Sequence, residues 1–148
     1  MEVADVMQGI AWLAPVGAVL GLIVAFALGA WVLRQDPGTE EMQDISQATQ
    51  EGALAFLTRE YRMLAIFVAV LFVVLGVSPM GWPTAVAFLT GAILSALAGF
   101  IGMYVATRAN TRTAQAATHG VAKALTVAFR SGLTMGLTVA SLGLIGIG

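Results

Sequence analysis

The run from Ile10 to Leu33 contains no charged residue. A stretch that long and that apolar has one stable setting, a helix across a lipid bilayer. About 20 apolar residues, rising about 1.5 Å each, cross a hydrocarbon core of about 30 Å. Three more apolar stretches follow, at Met63–Val77, Ala85–Thr107 and Ser131–Gly148. The second is short by itself. It reaches across if Arg59 and Arg62 snorkel outward from a helix that begins upstream. Composition agrees: the chain is 59% hydrophobic and 10% charged, against about a quarter charged in soluble domains. A soluble fold of this size has too little interior to hide so much apolar surface. The expected fold is therefore an all-α membrane protein with four transmembrane helices, near 9–34, 44–78, 84–108 and 112–148, forming one unit over 1–148.

The segments between these runs set the topology. Met1–Ile10 carries Glu2 and Asp5 but no Lys or Arg, so the first run reads as a retained anchor rather than a signal peptide. Gln35–Glu41 holds Asp-Pro-Gly and two glutamates, a turn leading into a helix N-terminus. From Asp44 to Tyr61 there is no proline, and Ile45, Ala48, Thr49, Gly52, Ala53 and Phe56 recur at helical spacing. Helix two should therefore project beyond the membrane. Lys123 and Arg130, seven residues apart, give helix four the same expected projection, with Arg108–Gly120 as a polar connection before it. Ser78–Pro83 reads as a tight uncharged turn with Trp82 at the interface. The seven basic residues, Arg34, Arg59, Arg62, Arg108, Arg112, Lys123 and Arg130, flank only the links one–two and three–four. The positive-inside rule makes those links cytoplasmic, with an N-out/C-out arrangement.

Chemistry-bearing patterns are few. Small residues recur every fourth position at Gly17, Gly21, Ala25 and Gly29, at Ala87, Gly91, Ser95 and Gly99, and at Gly132, Gly136 and Ala140. In lipid such stripes let helix backbones approach, so all three are expected to be helix contacts. No ionisable residue lies near the middle of any span, where an ion path needs one. With no cysteine, disulfides, thiolate metal sites and cysteine nucleophiles are excluded. No Walker loop, GxSxG elbow or HExxH is present, and the few basic residues make no nucleic-acid surface. Arg59–Tyr61 with Arg62, and Arg108–Thr113, have the residue types to hold a phosphate, although orientation signal and lipid headgroup contact is the plainer reading. His119 is a lone histidine and reads as a polar loop or helix-start residue. No catalytic, cofactor-binding or metal residue is assigned.

Three longer segments resemble one family. Glu51–Tyr61 (EGALAFLTREY), Ala87–Ala117 (AFLTGAILSALAGFIGMYVATRANTRTAQAA) and Ala124–Leu137 (ALTVAFRSGLTMGL) are similar, in order, to helices two, three and four of membrane-bound, ion-translocating inorganic pyrophosphatases. The resemblance implies homodimers of sixteen-helix subunits that hydrolyse cytoplasmic pyrophosphate and move H+ or Na+ outward. It implies Mg2+ bound by residues outside this chain, and leaves K+ dependence open. It also implies the inner membrane of a bacterial or archaeal cell. The family's aspartate motifs and lysines sit on an inner ring starting with the fifth helix, whereas this chain has one lysine and no aspartate after Asp44. The four helices are thus expected to be the outer-ring N-terminal quarter or so of a pump, structural and inactive alone, ending in GLIGIG within an apolar run. The alternative is a free-standing four-helix transporter or assembly subunit.

Overall fold

The computed structural model describes residues 13–147, all of them in or between four helices. These are α1 (Leu13–Leu33), α2 (Glu40–Val77), α3 (Gly81–Thr118) and α4 (Val121–Ile147). The four spans expected from hydropathy are present, each long and apolar enough to cross a membrane. Residues 1–12 and 148 lie outside the described part, and with them the expected start of helix one near residue 9 and the acidic Glu2 and Asp5.

Three of the four helices differ in their boundaries from the sequence expectation. Helix two begins at Glu40 rather than 44. Thr39 is its N-cap, with Oγ1 accepting from the Met42 amide, and Glu40 and Glu41 occupy the first turn, where carboxylates offset the unpaired N–H groups. Gly38 makes the reversal into it at φ +89°, a conformation that costs other residues. Helix three runs from Gly81 to Thr118 rather than 84–108, and helix four starts at Val121 rather than 112. Polarity made residues 108–120 look like a connection. Their backbone still favours a helix, however: Ala is the commonest residue, with two Arg and a Gln beside it, no proline occurs, and no glycine interrupts until Gly120, whose φ of +118° ends the run. The longest helices are α2 and α3, 38 residues each, about 57 Å long. Helix α4, at 27 residues, starts only two residues after α3 ends, so it stands out as far as α3 on the basic side, as expected, and is shorter at the opposite end.

The helices pack in the order α1, α4, α3, α2, with α1 also grazing α3. Among the described residues α2 touches neither α1 nor α4. Neighbours are antiparallel. The α2–α3 hairpin keeps a constant register about its Ser78–Met80 turn: Gly76 meets Trp82, Tyr61 meets Ala96 and Ser46 meets Thr111. Trp82 lies on Gly76 and edge-on to Phe72 at 5.8 Å. Gly21 meets Ser141 and Gly29 meets Thr134, so α1 runs against α4. Arg34, Arg108, Arg112, Lys123 and Arg130 thereby share one end, Arg59 and Arg62 lie midway along α2, level with Ala98 and Ser95, and the hairpin turn lies at the other end with the described start of α1 and end of α4. Large apolar side chains such as Phe26, Ile66 and Val70 face outward, as lipid permits.

Only one of the three small-residue stripes is the contact it was expected to be. On α1, Ala18, Ala25, Gly29 and Val32 are buried, although Gly17 faces open space. On α3, Gly91 has nothing within 4 Å of a Cβ position and Ala87 and Ser95 are exposed. The buried face is instead Ala85, Ala98, Gly102, Val105 and Ala109. On α4, Gly132 and Gly136 face open space, while Val127, Ser131, Thr134, Thr138, Ser141 and Leu142 are buried. The α4 seam is thus built from hydroxyl residues. Thr134 and Thr138 donate to their own helix, to the carbonyls of Arg130 and Thr134 at 2.9 and 2.7 Å, and so enter the interface with no unpaired proton.

The Tyr61 hydroxyl donates to the Ala96 carbonyl at 2.6 Å across the α2–α3 seam. Tyr61→Phe leaves ring packing intact and removes this bond. It is expected to cost about 1 kcal/mol, read as reduced thermal stability in detergent. An unchanged midpoint would show the bond to be incidental.

Candidate functional site

The basic end does not gather its arginines into one cradle. Arg59, Glu60 and Arg62 are exposed on α2, and Tyr61 between them is committed to the helix seam. The hairpin register sets Arg59 level with Ala98, and Arg108 level with Thr49, about ten residues or ~15 Å apart along the helices. The two arginine groups singled out from sequence are therefore separate places. The RANTRT run is itself divided around α3. Arg108 lies over the Tyr104 ring at 3.6 Å and donates to the Tyr104 carbonyl. Thr111 is buried and reaches Ser46 on α2 at 3.4 Å. Arg112 points the other way and donates through Nη2 to the Leu33 carbonyl at 3.0 Å. Asn110 is exposed.

Arg112 has a clear local cause for its position. At the end of α1 the Ala30, Trp31 and Val32 carbonyls accept from Arg34 and Gln35, which leaves the Leu33 carbonyl in need of a donor from another helix. Arg112 supplies it, and also donates to the Arg108 carbonyl at 2.7 Å. Its Nε stays buried with no hydrogen-bond partner.

Beside Arg112 is a cleft of about 410 Å³, walled by the end of α1, the end of α3 and the start of α4. Its polar lining includes Gln35, Asp36, Arg112, Gln115, His119 and Lys123. Trp31, Ala116 and Val127 are its apolar part, and they continue into the buried Val32–Ala109–Val127 cluster. Asp36 is held at the rim. One carboxylate oxygen accepts from the Gly38 amide at 2.9 Å and the other from Gln115 Nε2 at 3.2 Å. His119 caps the end of α3 beside Thr118 and Gln115, in keeping with a polar helix-end residue. The Arg130 guanidinium covers the outer face of Trp31 at 3.9 Å, a cation–π contact. Sequence reasoning did not bring Trp31, Asp36, Gln115 and Lys123 together. It read 108–120 as a polar stretch and began helix four at 112, and nothing in that reading set Arg112, Gln115 and Lys123 against the end of helix one.

The set of side chains does not suit a magnesium–pyrophosphate centre. Such a centre needs several oxygen ligands. Among the described residues no group of three or more His, Cys, Asp or Glu side chains converges.

Four long apolar helices, polar only at one end and in two projecting arms, define an integral multi-pass membrane protein. The chain belongs to the inorganic H+ pyrophosphatase family, whose model matches residues 19–148. It is 49% identical over 133 residues to a K+-insensitive pyrophosphate-energized proton pump of Moorella thermoacetica, covering 90% of this chain and 20% of that protein. A K+-insensitive pyrophosphate-energized proton pump of Pyrobaculum aerophilum is 50% identical over 132 residues, covering 84% of this chain and 18% of its own length. A putative K+-stimulated pyrophosphate-energized sodium pump of Clostridium tetani is 45% identical over 119 residues, covering 80% and 18%. The chain thus spans about a fifth of the length of these relatives.

Proposed function

We propose that these helices are the N-terminal, outer-ring part of a pyrophosphate-energised ion pump, in the inner membrane of a bacterial or archaeal cell. In that assembly they serve as frame. The complete protein, a homodimer, hydrolyses cytoplasmic pyrophosphate with Mg2+ and exports H+ or Na+. The observation that carries this reading is the match over residues 19–148 to a pump family, in a stretch where, among the described residues, no group of three or more His, Cys, Asp or Glu converges. Proton and sodium pumps, K+-insensitive and K+-stimulated, all occur among the relatives. The transported ion and the K+ response therefore belong to residues elsewhere.

Two measurements test the proposal. The purified chain, reconstituted in liposomes, is expected to release no phosphate from pyrophosphate with Mg2+. Release above the empty-liposome background would overturn the purely structural role. Orientation is tested by thiol labelling, since the chain has no native cysteine. Thr39 and Met80 are both exposed. Thr39→Cys is expected to label only from the cytoplasmic side and Met80→Cys only from outside, and the reverse pattern would invert the topology. Thr111 is a poor site for such a label because it is buried against Ser46.

A further inference from the structure

We propose that the cleft between α1, α3 and α4 binds the phosphate group of an anionic phospholipid. It lies at the end of the molecule where most of the basic residues collect, and at about 410 Å³ it falls within the size range of ligand clefts. Its charge is unbalanced. Arg112 and Lys123 contribute two permanent cations to the lining, against Asp36 alone. Both Asp36 oxygens are already engaged, by the Gly38 amide and Gln115. Arg112 donates to two carbonyls, which carry no charge and leave its guanidinium unneutralised. A phosphate in the cleft would accept a charge-assisted bond from the Lys123 ammonium and lie in the field of the Arg112 cation.

The apolar half of the cleft decides which phosphate compound fits. Trp31, Ala116 and Val127 form one wall and merge with the buried cluster beneath. A free inorganic anion gains nothing from such a wall. A phospholipid does, because its glycerol and upper acyl carbons lie just below its phosphate. Basic pockets between helices at a membrane edge are suited to anionic head groups for this reason. Trp31, held in place under Arg130 at 3.9 Å, sits where an indole ring favours the interface.

The test uses the purified chain in detergent, with lipid retention read by native mass spectrometry. One phosphatidylglycerol is expected to be retained in preference to phosphatidylcholine, and Lys123→Gln should weaken retention about tenfold. Arg59→Gln removes a cation from the middle of α2, which touches neither α1 nor α4. It should leave retention unchanged. Calorimetric titration with inorganic phosphate distinguishes the other source of the same chemistry. Binding of phosphate that depends on Lys123, without preference for phosphatidylglycerol, would overturn the lipid assignment in favour of a free anion. Equal retention of both lipids with no phosphate binding, or full retention in Lys123→Gln, would overturn the site altogether.

Discussion

Gly21→Leu is expected to separate α1 from α4 and to lower stability by roughly 3 kcal/mol. A Cβ at Gly21 would fall on the Ser141 hydroxyl and lie 3.5 Å from its Cβ. Ser141 is buried on α4; its hydroxyl can turn to another rotamer, but no rotamer moves its Cβ, and the three further carbons of leucine have to fit beside it. The helices must move apart instead, and contacts along the whole α1–α4 seam weaken together. Without an aqueous hydrophobic effect to press helices together in lipid, close packing is most of what holds α1 in place. Gly136→Leu supplies the contrast. It carries the same added volume on α4, but nothing lies within 4 Å of its Cβ position. In this chain it should change stability by no more than about 0.5 kcal/mol. Unfolding in detergent, followed by circular dichroism, measures both. Equal losses for the two variants would contradict the packing order described here.

Arg112→Gln is expected to cost about 2–3 kcal/mol. It removes a charge-assisted bond to the Leu33 carbonyl and another to the Arg108 carbonyl, and leaves the end of α1 without a donor from α3. Arg112→Lys should recover little of this, because a single ammonium does not reproduce two divergent guanidinium bonds. Arg108→Gln is the control. Arg108 is stacked on the outside of Tyr104, and its loss should be worth less than about 1 kcal/mol. The same unfolding measurement decides. A loss at Arg108 equal to that at Arg112 would remove the special role assigned to the α1 end.

Several features were legible in the residues because lipid imposes them on each segment separately. A charge-free run long enough to cross a bilayer must be helical, since no other open backbone satisfies its polar groups there. The four spans therefore appeared in order from hydropathy alone. A short turn was expected at Ser78–Pro83 in the same way, and the structure has it at Ser78–Met80, with Gly81–Pro83 already in α3. The three family-like segments fell within the part that the pyrophosphatase family matches.

Other features were misread, each for a physical reason. The polar run after Arg108 looked like a connection, because hydropathy reports the solvent and not the backbone. Its Ala-rich, proline-free sequence continues α3 to Thr118 in water as readily as in lipid. The glycine stripes on α3 and α4 looked like contacts, because close approach needs small residues. Ser131, Thr134, Thr138 and Ser141 are also small, recur at the same helical spacing, and occupy the α4 seam. Two faces of one helix offered equivalent surfaces, and residue type alone did not choose between them.

By itself, then, the sequence determined how many times the chain crosses the membrane, which ends of the helices lie together and which family it belongs to. Each of these depends on the transfer of one segment between water and lipid, or on residues read in order. The tertiary structure alone decided which face of each helix is buried, that α2 stands apart from α1 and α4, and that Trp31, Arg112 and Lys123 line one cleft. Those outcomes depend on which helix lies against which. Residues 80 or more positions apart meet only through that choice, and no local periodicity encodes it.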